Sequence, residues 1–182
     1  MFGRFFALNA SVNCVIRYII TPRMAMRQDK NVRVINDMNN LAIRCEEAVR
    51  TNQTCLQGAL EALFCWARVV GSDNIEDVLA LYAGDAILVP TLSDYIGEKE
   101  DERRRYFETF LSRGVKSCEI IVQKKRVSHK LGTVVIGGLY AFQFSRDGVE
   151  STASARFLFT FEEIDGRWMI TGHHSSLLSE AI

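Results

Sequence analysis

The sequence predicts an α+β domain running from about Gly58 to the C-terminus, three helices followed by a curved antiparallel sheet around a small pocket. Apolar stripes at helical spacing, each closed by a glycine, fill most of the stretch up to Gly114. Four long β-rich runs separated by turn residues fill the rest. Both faces of those strands are largely apolar, which bears on what the sheet meets.

Leu60, Leu63, Phe64 and Ala67 recur at i, i+3, i+4 and i+7, the stripe of an amphipathic helix, and Gly71 stops it. Asp73 with Glu76 three residues later reads as a capping box. Ile75, Val78, Leu79 and Tyr82 give a second helical stripe ended by Gly84. Ala86 to Val89 is a short strand stopped by Pro90. A polar loop through Gly97 leads to a third helix ending at Ser112, with Tyr106, Phe107, Phe110 and Leu111 as its apolar positions. Strands are predicted over Cys118 to Ser128, Thr133 to Phe144, Val149 to Glu163 and Arg167 to His174. Asp147-Gly148 and Asp165-Gly166 are hairpin turns, and Lys130 to Gly132 makes a third.

Residues 1–57 form an N-terminal extension, and residues 58–182 the main domain. Within the extension, Asp37 to Arg50 reads as a separate helix carrying Leu41, Cys45, Ala48 and Val49. The first 28 residues hold Arg4, Arg17, Arg23 and Arg27 and no acid. That pattern suggests an organelle (for instance mitochondrial) targeting segment, set against a cytoplasmic location for the plain reading. An appendage for oligomerisation or docking is the other role for this region.

The 22 basic and 22 acidic residues cancel, so the chain lacks the net basic surface that general nucleic-acid binding needs. No apolar run approaches the roughly 20 residues of a membrane helix. Cys14, Cys45, Cys55, Cys65 and Cys118 form no CxxC pair and no metal-ligand spacing, so free thiols in a reducing compartment are expected, with no metal and no cofactor.

Val134, Ile136, Tyr140, Phe142 and Phe144 share one strand face, with Val135, Leu139 and Ala141 on the other. Phe157, Phe159 and Phe161 likewise oppose Arg156, Leu158 and Thr160. Helices cover one sheet face only, so the second apolar face is expected to meet a partner, most simply another copy of the chain.

Arg156 sits between Ala155 and Phe157, where a buried guanidinium requires a carboxylate (Glu108 or Glu119) or an anionic ligand. His173 and His174 point to opposite faces, so only one enters a pocket. Arg103, Arg104 and Arg105 fan out around the third helix, and one of them can reach inward. Lys124-Lys125-Arg126 reads as an exposed sheet edge. Ser175 and Ser176 lack a nucleophile-elbow context.

Leu81-Tyr-Ala-Gly-Asp-Ala-Ile-Leu-Val-Pro90, Arg104-Arg-Tyr-Phe-Glu108, Arg156, Asp165-Gly-Arg-Trp168 and Gly172-His-His-Ser-Ser176 together resemble the nuclear-transport-factor-like superfamily in its SnoaL-like branch. The likeness is greatest to the association (hub) domain of calcium/calmodulin-dependent protein kinase II and its stand-alone relatives, over roughly Gly58 to Leu178. The resemblance implies a cone-shaped α+β barrel that assembles through its outer sheet face, as a homodimer or larger ring. It further implies that Arg104 and Arg156 point into the pocket, that His174 closes its rim and that Tyr140 forms a wall. Isomerase members place a carboxylate base beside the proline of the first strand. Here that neighbour is Val89, with Asp85 and Asp94 the nearest acids, so the chain leans away from an enzyme.

Three functional readings follow. The first is a non-catalytic homo-oligomer binding a small anionic or hydrophobic ligand, with Arg104 and Arg156 holding its carboxylate. The second is a SnoaL-like cyclase, dehydratase or isomerase acting on a hydrophobic ring compound, with His174 as acid–base group and Tyr140 as hydrogen-bond donor. The third is a protein-interaction scaffold.

Overall fold

The computed structural model describes residues 28–178, Asp73 and Leu92 excepted. The expected targeting segment and the Asp73 capping box lie outside the described residues. The chain divides into two compact units, Met1–Cys45 and Glu46–Ile182. All that follows on packing concerns the second.

Helix α1 runs unbroken over Gln28–Val69, where the sequence suggested two helices. No glycine or proline occurs between residues 28 and 57, so nothing terminates the first of them. Its buried residues are Ala59, Ala62, Leu63, Trp66 and Ala67, with Val70 buried just past its end. Phe64, expected inside, is exposed, and Leu60 is half-buried. Gly58 sits within α1 for a packing reason: a Cβ there would lie 2.2 Å from the Trp168 ring.

Helix α2 is short, Ile75–Leu79. Asn74 caps it, its side chain accepting from the Glu76 N–H. Tyr82, expected at the end of this helix, instead opens strand β1, Tyr82–Val89. Helix α3 spans Glu100–Leu111 and buries Arg103, Phe107 and Phe110. Glu102 accepts from the Glu98 and Lys99 amides at its start.

Four long strands follow: β2 Val115–Ser128, β3 Thr133–Arg146, β4 Val149–Ile164 and β5 Arg167–Leu177. They form the expected antiparallel meander. Asp147 and Gly148, and likewise Asp165 and Gly166, all adopt positive φ, as two-residue hairpin turns require. The sheet order is β1-β5-β4-β3-β2. β1 pairs with β5 in parallel, Leu88 opposite His173 and Val89 opposite His174, so the sheet is mixed rather than wholly antiparallel.

The register of β2 shifts between Ile120 and Val122, opposite Tyr140 and Leu139 of β3 and next to the Gln123–Gly138 pair. A Cβ at Gly138 would fall 1.8 Å from the Val122 carbonyl oxygen, so only glycine allows this approach. The concave face carries Val134, Ile136, Tyr140, Phe142, Phe157, Phe159 and Phe161, all buried. Trp66 of α1 meets Phe159 at a ring-centroid distance of 5.0 Å and Tyr140 at 6.0 Å. Lys124, Lys125 and Arg126 lie on β2, which is an edge strand, as the sequence suggested.

Candidate ligand-binding cavity

The concave sheet, the C-terminal part of α1 and helix α3 enclose a cavity of about 340 Å³. Its walls are aromatic: Trp66, Tyr106, Phe107, Phe110, Tyr140, Phe142 and Phe144. Polar groups come from His173 and Ser175 of β5, from Thr91, and from Ser151 and Thr152 of β4. Thr91 is drawn in because its hydroxyl accepts from the Leu177 N–H at 3.2 Å. Paired 2.8 Å bonds between Leu88 and Gly97 pin the loop that carries it.

A chain of hydrogen bonds runs behind the aromatic wall. The Trp66 indole N–H donates to the Tyr82 hydroxyl oxygen at 3.0 Å, and that oxygen lies 2.8 Å from His173 Nδ1. Phe159 stacks on the imidazole at 3.9 Å. His173 is 4 % exposed, and its Nε2 has no hydrogen-bond partner. Leaving a buried polar atom unpaired costs about 1–3 kcal/mol. Burial, with a smaller contribution from neighbouring His174, pushes the His173 pKa down to about 3, so the ring is neutral at physiological pH. A second pair sits beside it: the Tyr140 hydroxyl donates to Ser175 Oγ at 2.6 Å. Burial raises the Tyr140 pKa well above that of a free phenol.

Arg113 and Arg146 also line the cavity. The Ser145 N–H donates to the Gly114 carbonyl at 2.8 Å, which brings these two guanidinium-bearing residues together. Gly114 holds the crossing with φ +80, and a Cβ there would be 2.2 Å from the Ser145 oxygen. Both arginines are exposed, Arg146 Nε lies 3.8 Å from the Asp147 carboxylate, and among the described residues no Asp or Glu lines the cavity. A neighbouring groove of about 430 Å³ across α3 shares Thr91, Tyr106, Phe110 and Arg113 with it. The groove adds Tyr95, Arg105 and Glu102, but the buried polar constellation belongs to the smaller cavity.

The residues expected at the site are placed as follows. Tyr140 is in the cavity wall. Arg104 is not: its guanidinium pairs with both Glu76 oxygens and lies 3.5 Å from Glu100, tying α3 to α2 at the surface. This pairing holds the Glu76 carboxyl below its ordinary range. Arg156 is exposed on the convex face, donating to the Leu177 carbonyl at 3.2 Å, rather than buried against Glu108 or Glu119. His174 is exposed there too, opposite Leu158. Strand alternation sends His173 inward in its place.

Arg103 is the inward-reaching arginine of the triplet, at 1 % exposure. It donates to the carbonyls of Ala83, Gly84, Ala86 and Glu98 and so clamps β1 to α3 without entering the cavity. The sequence reading missed Arg113, Arg146 and Tyr82; of His173 and His174 it held that only one enters, and the resemblance pointed to His174. For Arg113 and Arg146 the available signal was position, since each flanks a glycine-marked turn.

Among the described residues no three His, Cys, Asp or Glu side chains gather as a metal site. Cys55, Cys65 and Cys118 are free, and burial pushes the Cys118 thiol up to about 12, leaving it inert.

A three-helix, curved-sheet cone around an aromatic cavity is the architecture of nuclear-transport-factor-like proteins. The family profile of the calcium/calmodulin dependent protein kinase II association domain matches residues 59–179, and the chain belongs to that family. A Xanthomonas campestris structure described as such an association domain shares 32% identity, covering 67% of this chain and 87% of its own, with a TM-score of 0.62. A nuclear transport factor 2-like protein from Salmonella enterica aligns with TM-score 0.62 at 12% identity, over 71% of this chain and 95% of that one. A Novosphingobium aromaticivorans structure described as a scytalone dehydratase gives 0.61 at 12% identity, over 72% and 89%. The last two show the shared fold alone. Among curated proteins none matches the chain.

Proposed function

We propose that this protein is a non-catalytic, self-associating member of the association-domain family that binds a small aromatic anion in its cavity. The observation that carries the reading is the composition of the cavity among the described residues: aromatic walls, two arginines and no carboxylate. Aromatic surface favours a flat apolar body, and guanidinium groups favour a carboxylate. Among the described residues no acidic side chain lines the cavity, which leaves no carboxylate base for proton abstraction there. The anchoring role given to Arg104 and Arg156 passes to Arg113 and Arg146. Titration of benzoate-type ligands by calorimetry tests this. The double variant Arg113→Ala/Arg146→Ala is expected to weaken binding about tenfold or more, and Arg104→Ala or Arg156→Ala to leave it unchanged. Equal affinity in all of them would remove the anchor.

Self-association through the convex face rests on family membership together with exposed Ile87, Val122 and Leu158 there. Light scattering is expected to give a mass of at least two chains, and Leu158→Glu to lower it. A monomeric wild type would overturn this part.

The enzyme reading keeps one supporting observation, that His173 and Tyr140 both line the cavity. His173 then takes the acid–base role assigned to His174. Turnover of a ring compound lost in His173→Ala and retained in His174→Ala would favour it; a failure to find turnover leaves the binding role.

A further inference from the structure

We infer that the Trp66–Tyr82–His173 chain fixes the imidazole with its proton on Nε2, making His173 a neutral hydrogen-bond donor for an acceptor atom on the ligand. The inference rests on the cavity being a ligand site and adds what the ligand carries at its deep end. An indole N–H only donates, so the Tyr82 oxygen accepts from Trp66. If His173 Nδ1 also donated to that oxygen, the Tyr82 proton would be left without an acceptor in the core. The arrangement that satisfies every atom of the chain has the Tyr82 O–H donating to Nδ1 across 2.8 Å. A neutral imidazole accepting at Nδ1 carries its hydrogen on Nε2, and among the described residues no atom satisfies Nε2. Phe159 stacked on one ring face and Trp66 at its edge hold the imidazole in place.

The ligand class that answers both ends is an aryl carboxylate bearing a carbonyl or similar oxygen away from its acid group. The carboxylate meets Arg113 and Arg146, and the oxygen meets His173 Nε2–H. A hydrocarbon of the same shape leaves the donor unpaired, and a site of this kind discriminates against such an analogue.

Two measurements on the full-length protein test it. Two-bond ¹⁵N–¹H correlations on the unliganded protein are expected to place the His173 proton on Nε2; a proton on Nδ1 overturns the inference. Calorimetry with 4-acetylbenzoate and 4-isopropenylbenzoate, which replaces the carbonyl oxygen by a methylene, is expected to favour the ketone about tenfold. In Tyr82→Phe that ratio is expected to fall towards one while 4-isopropenylbenzoate still binds. Equal affinity of both probes for the wild type overturns the acceptor half and leaves the aryl-anion site standing. Binding of neither probe overturns the aryl-anion site itself, and the tautomer measurement still decides the donor.

Discussion

Along β4, Phe157, Phe159 and Phe161 are buried among the rings of Trp66, Tyr140 and His173. Arg156 and Leu158, each one residue away, stand exposed on the opposite face. The same alternation divides β5, where His173 and Ser175 enter the cavity while His174 faces out. Both faces are apolar in composition, yet they differ in what satisfies them. The concave face is covered by α1 and α3 and holds Tyr82, Tyr140, Ser175 and His173 Nδ1 in hydrogen bonds, leaving His173 Nε2 unpaired. The convex face keeps apolar side chains open, together with the two residues, Arg156 and His174, that a resemblance to hub domains places in the pocket. One strand position therefore separates a candidate ligand cavity from a candidate assembly surface.

The sharpest way to break this comparison is to delete matched side chains on the two faces. Trp66→Ala is expected to cost about 3–5 kcal/mol in urea-induced unfolding, since it empties the centre of the aromatic cluster. Less than about 1 kcal/mol for that change would mean that the cavity's helical cover is not part of the cooperative core.

Acid is the second probe. An ordinary His takes up its proton near pH 6.5, while His173 in the folded chain resists until about pH 3. Between these values the unfolded state binds more protons, so stability falls as pH drops through the window. The fall is at most about 1.4 kcal/mol per pH unit. His173→Gln is expected to flatten that slope and His174→Ala to keep most of it, as read from urea melts at pH 4, 5 and 6. Equal slopes in the wild type and His173→Gln would show that burial of this ring does not govern acid sensitivity.

The smallest effect is expected on the outer face. Thr160→Ala, half-buried on the convex face of β4 between exposed Leu158 and half-buried Glu162, is expected to change stability by no more than about 0.5 kcal/mol. A larger loss would show that the convex face is already packed in the folded protomer.

Much of the fold was legible because short-range rules set it. Asp147-Gly148 and Asp165-Gly166 tolerate the positive φ that a two-residue hairpin demands, so three strands and their registers follow from the turns. Period-two alternation gave the two faces of β3 and β4. Helical phase was less secure: Leu63 and Ala67 were read correctly, but the buried stripe turns through Trp66 rather than Phe64. Tyr82 fits a helical spacing after Leu79, yet its hydroxyl is wanted between Trp66 and His173, and the chain extends there as a strand.

The site itself shows where local rules stop. Alternation establishes that His173 and His174 part company, and helix geometry establishes that Arg103, Arg104 and Arg105 fan apart; neither says which one goes in. That choice was made by the parallel pairing of β1 with β5 and by the four carbonyls that receive Arg103. Likewise, Arg113 and Arg146 lie more than thirty positions apart and line one cavity because the chain crosses itself at Gly114 and Ser145. The sequence alone determined the α+β class, the turns and the pairing of hydrophobic faces, since these arise from backbone sterics and side-chain period within a few residues. Tertiary structure decided which faces close and which polar atoms converge, because burial and hydrogen bonding are settled between segments far apart in the chain.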